Sequence, residues 1–281
     1  MRNANPNDSS AFGLYAPTPL LAALLRATRA CSTSWLGKRC AFLLRGIAVR
    51  LLNGRPLDVD ALGAHMRLYP YNNVCEKRIL FTPQYFDPIE RDVVRQRLHA
   101  NAVVIDIGAN IGGYTLFSAA LTGPTARLLA IEPQPEIFER LVYNIRQNGF
   151  AWVKALNCAI ADKDGDITLF VAAKNRGETS MRIVNADAAG EQIRVPAKAL
   201  STLMEEEGLT HVDVMKLDVE GAEDLILEPF LKDAPSSVWP KLLLMEYSHS
   251  RAESDLGRQL VACGYKEVMR TRTNVAYERS V

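Results

Sequence analysis

The chain of 281 residues is long enough for one large domain, or for one domain with an extension. Its composition, 48% hydrophobic and 23% charged, is typical of a soluble globular protein. The net charge of +1 hides an asymmetry, because residues 1–55 hold eight Lys and Arg against the single acid Asp8, whereas residues 56–281 hold 25 against 31 acids. A mildly acidic body argues against nucleic acid as a partner, although the basic segment could touch anionic surfaces.

Cysteine usage favours reduced thiols and a cytoplasmic setting. The five cysteines are odd in number, widely spread and without a C-x-x-C pair, so neither a disulfide framework nor a zinc site is indicated. The longest apolar tracts, such as Leu20–Leu25, are too short to cross a membrane. The first residues are polar, and Arg26 and Arg29 follow the apolar tract closely, so we predict no signal peptide.

The N-terminal region is predicted to be a helical extension over residues 1–60, followed by the main domain over residues 61–281. Residues 1–13 have a loop composition, and Leu20–Leu52 predicts one or two basic amphipathic helices, split near Gly37. Such helices could bind an anionic membrane surface. They could equally pack on the body of the protein or on a second subunit, with arginine stems lying over apolar surface.

The segment before residue 100 could cover a ligand pocket. Gly54–Gly63 is predicted as a turn-rich connector, and two short strand-like runs then precede a helix from about Pro88 to Leu98. Several polar residues stand among apolar ones in this segment, namely Asn72, Asn73, Glu76 and Lys77. These residues either contribute to a ligand site or are ordinary polar residues of turns and strand edges.

From Ala102 onward, strand-like and helix-like runs alternate. Strands are predicted at Val103–Ile107, Arg127–Glu132, Trp152–Ala159, Ile167–Ala172, Gln192–Val195, Val212–Asp218 and Lys241–Tyr247, with a closing hairpin of Lys266–Met269 and Val275–Glu278. Helices are predicted at Ile111–Leu121, Pro135–Gln147, Thr202–Glu207 and Glu253–Cys263. A further helix is predicted to follow the run VEGAED and to end at about Leu231. Continuous apolar strands between helices indicate an α/β fold with a mostly parallel sheet covered on both faces. The final hairpin adds one antiparallel strand near an edge.

The stretch VVIDIGANIGGYTL, Val103–Leu116, is predicted to bind a ligand. A buried strand leads through Asp106 into a turn where Gly108 and Gly112 have no Cβ to obstruct a ligand. The amides that open the next helix would offer donors. The turn lacks the G-x-G-x-x-G and G-K-[ST] patterns, and a carboxylate there would repel a diphosphate. It suits the cationic amino-acid end of S-adenosylmethionine, unless this is only an ordinary strand-to-helix turn.

Four predicted strands end in an acidic residue, namely Asp106, Glu132, Asp218 and Glu246. In an open α/β sheet, ligands bind beyond the carboxyl ends of the strands, where the strand order switches. Glu132 lies 19 residues after Gly113, an offset at which an acid can accept hydrogen bonds from both hydroxyls of a ribose. The alternative is a cap for the helix that follows Pro133.

The run KLDVEGAE, Lys216–Glu223, forms a second candidate site. Its carboxylates, Asp218, Glu220 and Glu223, would repel one another unless they share a cation or a proton, and a shared proton suits a general base. Lys216 and Asp218 alternate along the strand and therefore point to the same face. The alternative is a charged helix N-terminus, where acids are favoured by the dipole.

These motifs together resemble the FkbM family of S-adenosylmethionine-dependent methyltransferases. The segments DIGANIGGYT, IEPQPEIFERLVYNIRQN, NCAIAD, the N-x-G-x-x-S of Asn175–Ser180, KLDVEGAE and LLLMEY follow in the family's order and spacing. With the upstream segments NNVCEKRILF and YFDPIE, the resemblance covers about residues 70–247. It implies a class I, Rossmann-like methyltransferase fold with S-adenosylmethionine as cofactor.

The resemblance also implies site residues. It assigns the cofactor to Asp106, Gly108, Asn110 and Glu132, with Asp162 near the adenine. It assigns the acceptor side to Lys216, Asp218 and Glu220. The implied reaction is O-methylation of a hydroxyl on a saccharide or other small-molecule natural product.

A hydroxyl is a poor nucleophile, so a base would help the reaction. The candidates are Asp218, Glu220, Glu246 and His249. These carboxylates could also hold a divalent cation, but the sequence does not establish one. A cofactor-binding domain without catalysis, acting as an assembly or membrane-associated partner, stays open as the alternative, whereas a nicotinamide dehydrogenase is disfavoured by Asp106 and by the glycine pattern.

Overall fold

The fold is given by a computed structural model that describes residues 9–71, 73–171, 179–180, 191–219, 221–246 and 255–280. The helices are α1 (Pro19–Ala30), α2 (Trp35–Leu52), α3 (Val74–Phe81), α4 (Pro88–Arg95), α5 (Gly113–Thr122), α6 (Pro135–Gln147), α7 (Leu200–Glu206), α8 (Glu223–Asp233) and α9 (Asp255–Ala262). The strands are β1 (Leu57–Ala61), β2 (Ala64–Leu68), β3 (Val103–Ile107), β4 (Arg127–Ile131), β5 (Val153–Leu156), β6 (Ala159–Ala161), β7 (Gly165–Val171), β8 (Thr179–Ser180), β9 (Glu191–Ala199), β10 (Val214–Leu217), β11 (Leu242–Glu246), β12 (Tyr265–Arg270) and β13 (Asn274–Arg279).

Within these residues, seven strands form the central sheet, in the order β12-β13-β11-β10-β3-β4-β5. β3, β4, β5, β10 and β11 run parallel, and β13 pairs antiparallel with β11. The predicted mostly parallel sheet with an antiparallel C-terminal hairpin is therefore confirmed. The chain leaves β3 toward β5 and later returns to β10 on the other side of β3, so the strand order switches between β3 and β10. Ligands of open α/β sheets bind at such a switch.

The sheet lies between two hydrophobic cores because its central strands are apolar on both faces. All five residues of β3 are buried. Successive side chains of a strand point to opposite faces, and accordingly Val104 joins the core that contains Leu116 and Leu141, whereas Ile105 joins the core that contains Leu227. This burial fixes the position of the residues that follow β3.

The predicted strand Trp152–Ala159 is corrected to two strands in two sheets. β5 belongs to the central sheet, whereas β6 belongs to a second sheet of order β6-β9-β7-β8 among the described residues. The interruption falls at Asn157, whose side-chain nitrogen donates to the carbonyls of Glu132 at 2.8 Å and Pro133 at 3.2 Å. These bonds tie the chain between the two sheets to the end of β4.

The predicted split of the N-terminal helices near Gly37 is also corrected, because α1 and α2 are separated at residues 31–34. Ser34 caps α2 by accepting a hydrogen bond from the amide of Gly37. Gly37 lies inside the first turn of α2, where a Cβ would come within 2.3 Å of the carbonyl oxygen of Ser32. The glycine therefore permits the tight turn of the linker against the start of α2 and does not end a helix.

The expected connector Gly54–Gly63 contains strand β1, which pairs with β2 in an antiparallel hairpin. The predicted domain boundary at residue 60 falls inside this strand. One of the two strand-like runs that follow is a helix instead, α3, because the side chain of Asn73 accepts a hydrogen bond from the amide of Glu76 and caps it. Local hydrophobicity does not reveal such a helix cap, so the sequence pattern alone predicted a strand here.

A buried ion pair fastens the N-terminal segment to this hairpin. The guanidinium of Arg67 donates to both oxygens of Asp58 at 2.7 and 2.9 Å, and both side chains are 1% exposed. Arg67 also donates to the carbonyls of Ser10 and Ala11. Asp58 in turn accepts from the amide of Gly13 at 2.7 Å. The pair therefore holds residues 10–13 against the body of the protein.

The basic helices pack on the body along one side. Leu21 and Leu25 of α1, and Ala48 and Leu52 of α2, belong to the same core as Leu116. No helix among the described residues has both the length and the apolar character needed to cross a membrane. Of the two interpretations of this extension, packing on the body accounts for its buried side.

We predict that Asp58→Ala lowers the free energy of unfolding by about 3–5 kcal/mol, because it leaves the buried charge of Arg67 without its partner. Urea denaturation followed by circular dichroism measures the change. The matched control is Asp60→Ala, two residues along β1, where the carboxylate makes an exposed contact with His65 that contributes about 1 kcal/mol at most. Equal losses in the two variants would contradict the importance of the buried pair.

Candidate active site

A cavity of about 260 Å³ lies at the carboxyl edge of the central sheet, at the switch between β3 and β10. Its floor consists of the residues that follow β3, β4 and β10. Residues of α3 and the two residues before α4, Phe86 and Asp87, form one wall, and Thr273 and Asn274 of the C-terminal hairpin form another. The expectation that the segment before residue 100 covers the pocket agrees with this arrangement.

The turn after β3 is shaped by glycine. Gly108 has a φ of +75°, and a Cβ on it would lie 2.0 Å from the carbonyl oxygen of Asp218. Only glycine therefore lets the loops after β3 and β10 approach so closely. The amides of Gly108 and Ala109 donate to the carbonyl of Ile131. These two amides serve the fold, so the turn does not present them to a phosphate.

Glu132, directly after β4, is fixed beside this turn. Its Oε2 accepts from the amide of Asn110 at 2.9 Å, and its Oε1 accepts from the amide of Gln134 at 3.0 Å. Burial raises the pKa of Glu132 to about 7, although both amides favour the ionised form. A carboxylate oxygen has two acceptor positions, so each oxygen can still accept a hydrogen bond from a ligand hydroxyl.

A buried lysine joins the acidic ends of β3 and β10. Asp106 and Lys216 are register partners in adjacent strands. The Nζ of Lys216 lies 2.8 Å from an oxygen of Asp218 and 3.8 Å from Oδ1 of Asp106. Burial alone would lower the pKa of Lys216, but the two carboxylates raise it above its usual value. The two carboxylates therefore favour the charged form of Lys216, which is the form that cannot act as a general base.

Asp106 is almost completely buried. Its Oδ2 accepts from the hydroxyl of Thr115 at 2.6 Å, and no hydrogen-bond donor of the described residues reaches its Oδ1. Burial raises the pKa of Asp106, and Lys216 and Thr115 only partly offset this effect. The predicted contact between Asp106 and a cationic ligand stays a prediction, because the nearest cation that the structure provides is Lys216.

The acidic turn after β10 is brought only partly to the cavity. Asp218 lines the cavity with its side chain 43% exposed, whereas Glu220 lies outside the described residues. Glu223 is buried at the first position of α8 and accepts a hydrogen bond from the amide of Gly221. For Glu223, the helix-terminus interpretation of the sequence fits the structure.

The other candidates are placed as follows. Glu246 ends β11 and lines the cavity. Asp162 is exposed beyond β6 and does not line the cavity, although Ile160 two residues earlier does. His249, and all of the N-x-G-x-x-S motif except Thr179 and Ser180, lie outside the described residues. No group of three metal-ligating side chains occurs among the residues that the structure describes.

Asn73 connects the wall of the cavity to its floor. While its Oδ1 caps α3, its Nδ2 donates to the side-chain oxygen of Asn110 at 2.7 Å. Asn110 has a positive φ of 52° and accepts from the amide of Ile111 through the same oxygen. Of the two interpretations of this asparagine, a role at the site is the one that these contacts favour.

Asp87 is a candidate that the sequence analysis missed. It lines the cavity in the left-handed region, with φ at +43°, immediately before Pro88. Its Oδ2 accepts from the hydroxyl of Tyr114 at 3.3 Å. Burial, and secondarily the charge of Glu90, raise the pKa of Asp87. The Asp-Pro pair in YFDPIE could have drawn attention to Asp87, but such a pair predicts only a turn. It does not reveal that Asp87 lies next to Tyr114.

The cavity carries an excess of negative charge. Of the described residues that line it, the acidic ones are Asp87, Asp106, Glu132, Asp218 and Glu246, and the basic ones are Arg78 and Lys216. Such a lining favours a cationic ligand and disfavours the diphosphate of a dinucleotide. In the sequence, Asp106 and the glycine pattern likewise disfavour a nicotinamide cofactor.

The chain is similar in sequence to known methyltransferases. Residues 106–267 match the family model of the methyltransferase FkbM domain. The chain is 31% identical over 159 residues to methyltransferase sdnD of Sordaria araneosa, which covers 47% of this chain and 61% of that protein. It is 30% identical over 172 residues to the 31-O-demethyl-FK506 methyltransferase FkbM of Streptomyces tacrolimicus, which covers 52% of this chain and 64% of that protein. The aligned part is thus less than two thirds of either relative.

Among solved structures, a METTL16 methyltransferase domain matches with a TM-score of 0.50 at 15% identity, covering 94% of this chain and 92% of that domain. This similarity shows the fold alone and confirms the expected class I methyltransferase architecture. The family model covers more than half of the chain, including the glycine turn, Glu132 and the end of β10. The chain therefore belongs to the FkbM methyltransferase family.

Proposed function

We propose that this protein is an S-adenosylmethionine-dependent methyltransferase that methylates a hydroxyl of a saccharide or other small-molecule natural product. The observation that carries the proposal is the acidic cavity at the β3–β10 switch, with Glu132 held by two backbone amides beside a turn that must be glycine. The relative from Streptomyces tacrolimicus supports the choice of oxygen, because its name specifies a 31-O-demethyl substrate.

The residues of the cavity fit this cofactor. Glu132 has one free acceptor position on each oxygen for the two ribose hydroxyls. Asp106 and Asp218 together exceed the charge of Lys216 by one negative charge, which suits the cationic amino-acid end. When bound, the cofactor would supply an electrophilic methyl group on its sulfonium.

The chain's remaining task is to position the acceptor and remove its proton. Asp87 is the proton acceptor in this proposal, because among the described residues its side chain accepts a hydrogen bond only from the hydroxyl of Tyr114 and from no cationic group. Burial raises the pKa of Tyr114 well above its usual value, so that hydroxyl stays a donor. The alternative acceptor, Asp218, is bound to the ammonium of Lys216, which competes for its lone pairs.

We expect Glu132→Gln to weaken the binding of S-adenosylhomocysteine by about tenfold to a hundredfold, because hydrogen bonds to a charged acceptor contribute roughly 1.5–3 kcal/mol. Isothermal titration calorimetry measures the change. The matched control is Glu139→Gln, an exposed residue of α6, which should bind as the wild type does. Unchanged affinity in the Glu132 variant would refute the assignment of the ribose site.

The affinity for S-adenosylhomocysteine should also increase from about pH 6 to about pH 8, as Glu132 ionises with its pKa of about 7. The free energy of unfolding of the unliganded protein should show the opposite dependence on pH. Because folding raises this pKa from 4.5, the contribution of Glu132 to stability is complete below that value and is lost as the pH rises through about 7. Calorimetry across this range tests the first trend, and a flat profile in the wild type, or an equal slope in Glu132→Gln, would contradict it.

Asp87→Asn should lower the turnover number by a factor on the order of 10²–10⁴ and leave the affinity for S-adenosylhomocysteine nearly unchanged. The assay follows tritium from methyl-labelled S-adenosylmethionine into hydroxylated acceptors from saccharide and natural-product extracts. Asp92→Asn, at an exposed position of α4, is the matched control.

The product of this assay separates the possible chemistries. A methyl ether survives mild base, whereas a methyl ester releases labelled methanol. A base-labile product would contradict a hydroxyl acceptor, and full turnover in Asp87→Asn would remove Asp87 as the base. Cofactor binding without transfer to any acceptor would favour a domain without catalysis.

A further inference from the structure

The outer side of α2 is an exposed apolar surface. Leu36, Leu43, Ile47 and Leu51 are 70%, 73%, 50% and 49% exposed, and we name these four residues the α2 stripe. Their spacing of seven, four and four residues places them on one face of the helix. The opposite face of α2 carries Ala41, Ala48 and Leu52, which are buried. One face therefore packs on the protein, and the other is open to a partner.

Aromatic and basic side chains border the α2 stripe. Trp35 and Phe42 are 65% and 47% exposed. The guanidinium of Arg39 lies 4.4 Å from the ring centre of Trp35, and that of Arg45 lies 4.5 Å from the ring centre of Phe42. Aromatic rings and long basic side chains next to apolar residues are typical of segments at the membrane–water interface.

The charge of the surrounding segment limits the choice of partner. Between Asp8 and Asp58, the sequence contains seven Lys and Arg and no acidic residue. In a symmetric dimer built on this face, the same basic patch of both copies would be brought together, with Arg39 and Arg50 of one copy near the basic residues of the other. Juxtaposed like charges are costly at an interface. A partner with an apolar interior and a negatively charged surface satisfies both features of the face.

We propose that α2 lies in the interface of an anionic lipid bilayer, with the α2 stripe turned toward the acyl chains and the basic residues toward the lipid phosphates. The helix would lie parallel to the membrane and would not span it, since its other face is part of the protein core. The two interpretations of the N-terminal extension are then compatible, because they concern opposite faces of the same helix.

Vesicle sedimentation with the full chain tests this proposal. The protein should sediment with vesicles of phosphatidylcholine and phosphatidylserine, should not sediment with phosphatidylcholine alone, and should be released by high salt. In the double variant Leu43→Glu and Ile47→Glu, the partition coefficient onto these vesicles should fall by more than about tenfold. The substitutions remove two apolar side chains and add two negative charges next to an anionic surface. The circular dichroism spectrum and melting temperature of this variant should match the wild type, since both positions are exposed.

The matched control is Val261→Glu, which places the same charge on a 61% exposed apolar position of α9. This variant should bind anionic vesicles as the wild type does. Absence of binding by the wild type, or equal binding by the double variant, would overturn the proposal. Dimers in sedimentation velocity that the double variant abolishes, without vesicle binding, would identify a second copy of the chain as the partner instead.

Discussion

The site depends on the interaction of the buried Lys216 ammonium with two carboxylates. The ammonium stands between Asp106 at the end of β3 and Asp218 at the end of β10. Without this cation, the charge of Asp218 would act unopposed on the buried carboxylate of Asp106 and would favour its protonated form. The carbonyl of Asp218 also lies against Gly108, so the same junction determines the shape of the ligand turn. Charge balance and backbone packing are therefore joined where the strand order switches.

The distribution of charge separates the two surfaces of the molecule. The cavity is lined by more carboxylates than cations, and it is suited to a cationic small molecule. The N-terminal helices have only basic charges and an exposed apolar face. A net charge of +1 therefore describes neither surface. The two proposals therefore concern separate surfaces, the cavity as the site for the cofactor and the exposed face of α2 as the site for an anionic membrane.

The central sheet was predictable from the sequence because its strands are continuous apolar runs. The acidic residues at the strand ends were also recognisable, and the structure adds that Glu132 accepts a hydrogen bond from the amide of Asn110. The role of Lys216 was not predictable, because its pairing with Asp106 depends on the register of strands that are distant in sequence. Asp87 was missed for a related reason, since a left-handed residue before a proline reveals nothing about its contact with Tyr114.

The N-terminal region was the least predictable part of the fold. Local composition indicated one or two helices but misplaced the split between them, and it predicted a connector where β1 forms. The pairing of Asp58 in β1 with Arg67 in β2 accounts for this difference, because it joins the two strands although the sequence around β1 resembles a loop. Such a contact depends on which residues the fold buries together, and hydrophobic periodicity does not contain that information.

A crystal structure of the protein with S-adenosylhomocysteine is the most direct test of the central claim. The account predicts the ligand in the cavity at the β3–β10 switch, with both ribose hydroxyls at hydrogen-bond distance from Glu132. It also predicts the homocysteine part near the turn at Gly108 and the Lys216 cluster. A ligand bound elsewhere, or bound in this cavity with its ribose away from Glu132, would contradict the account.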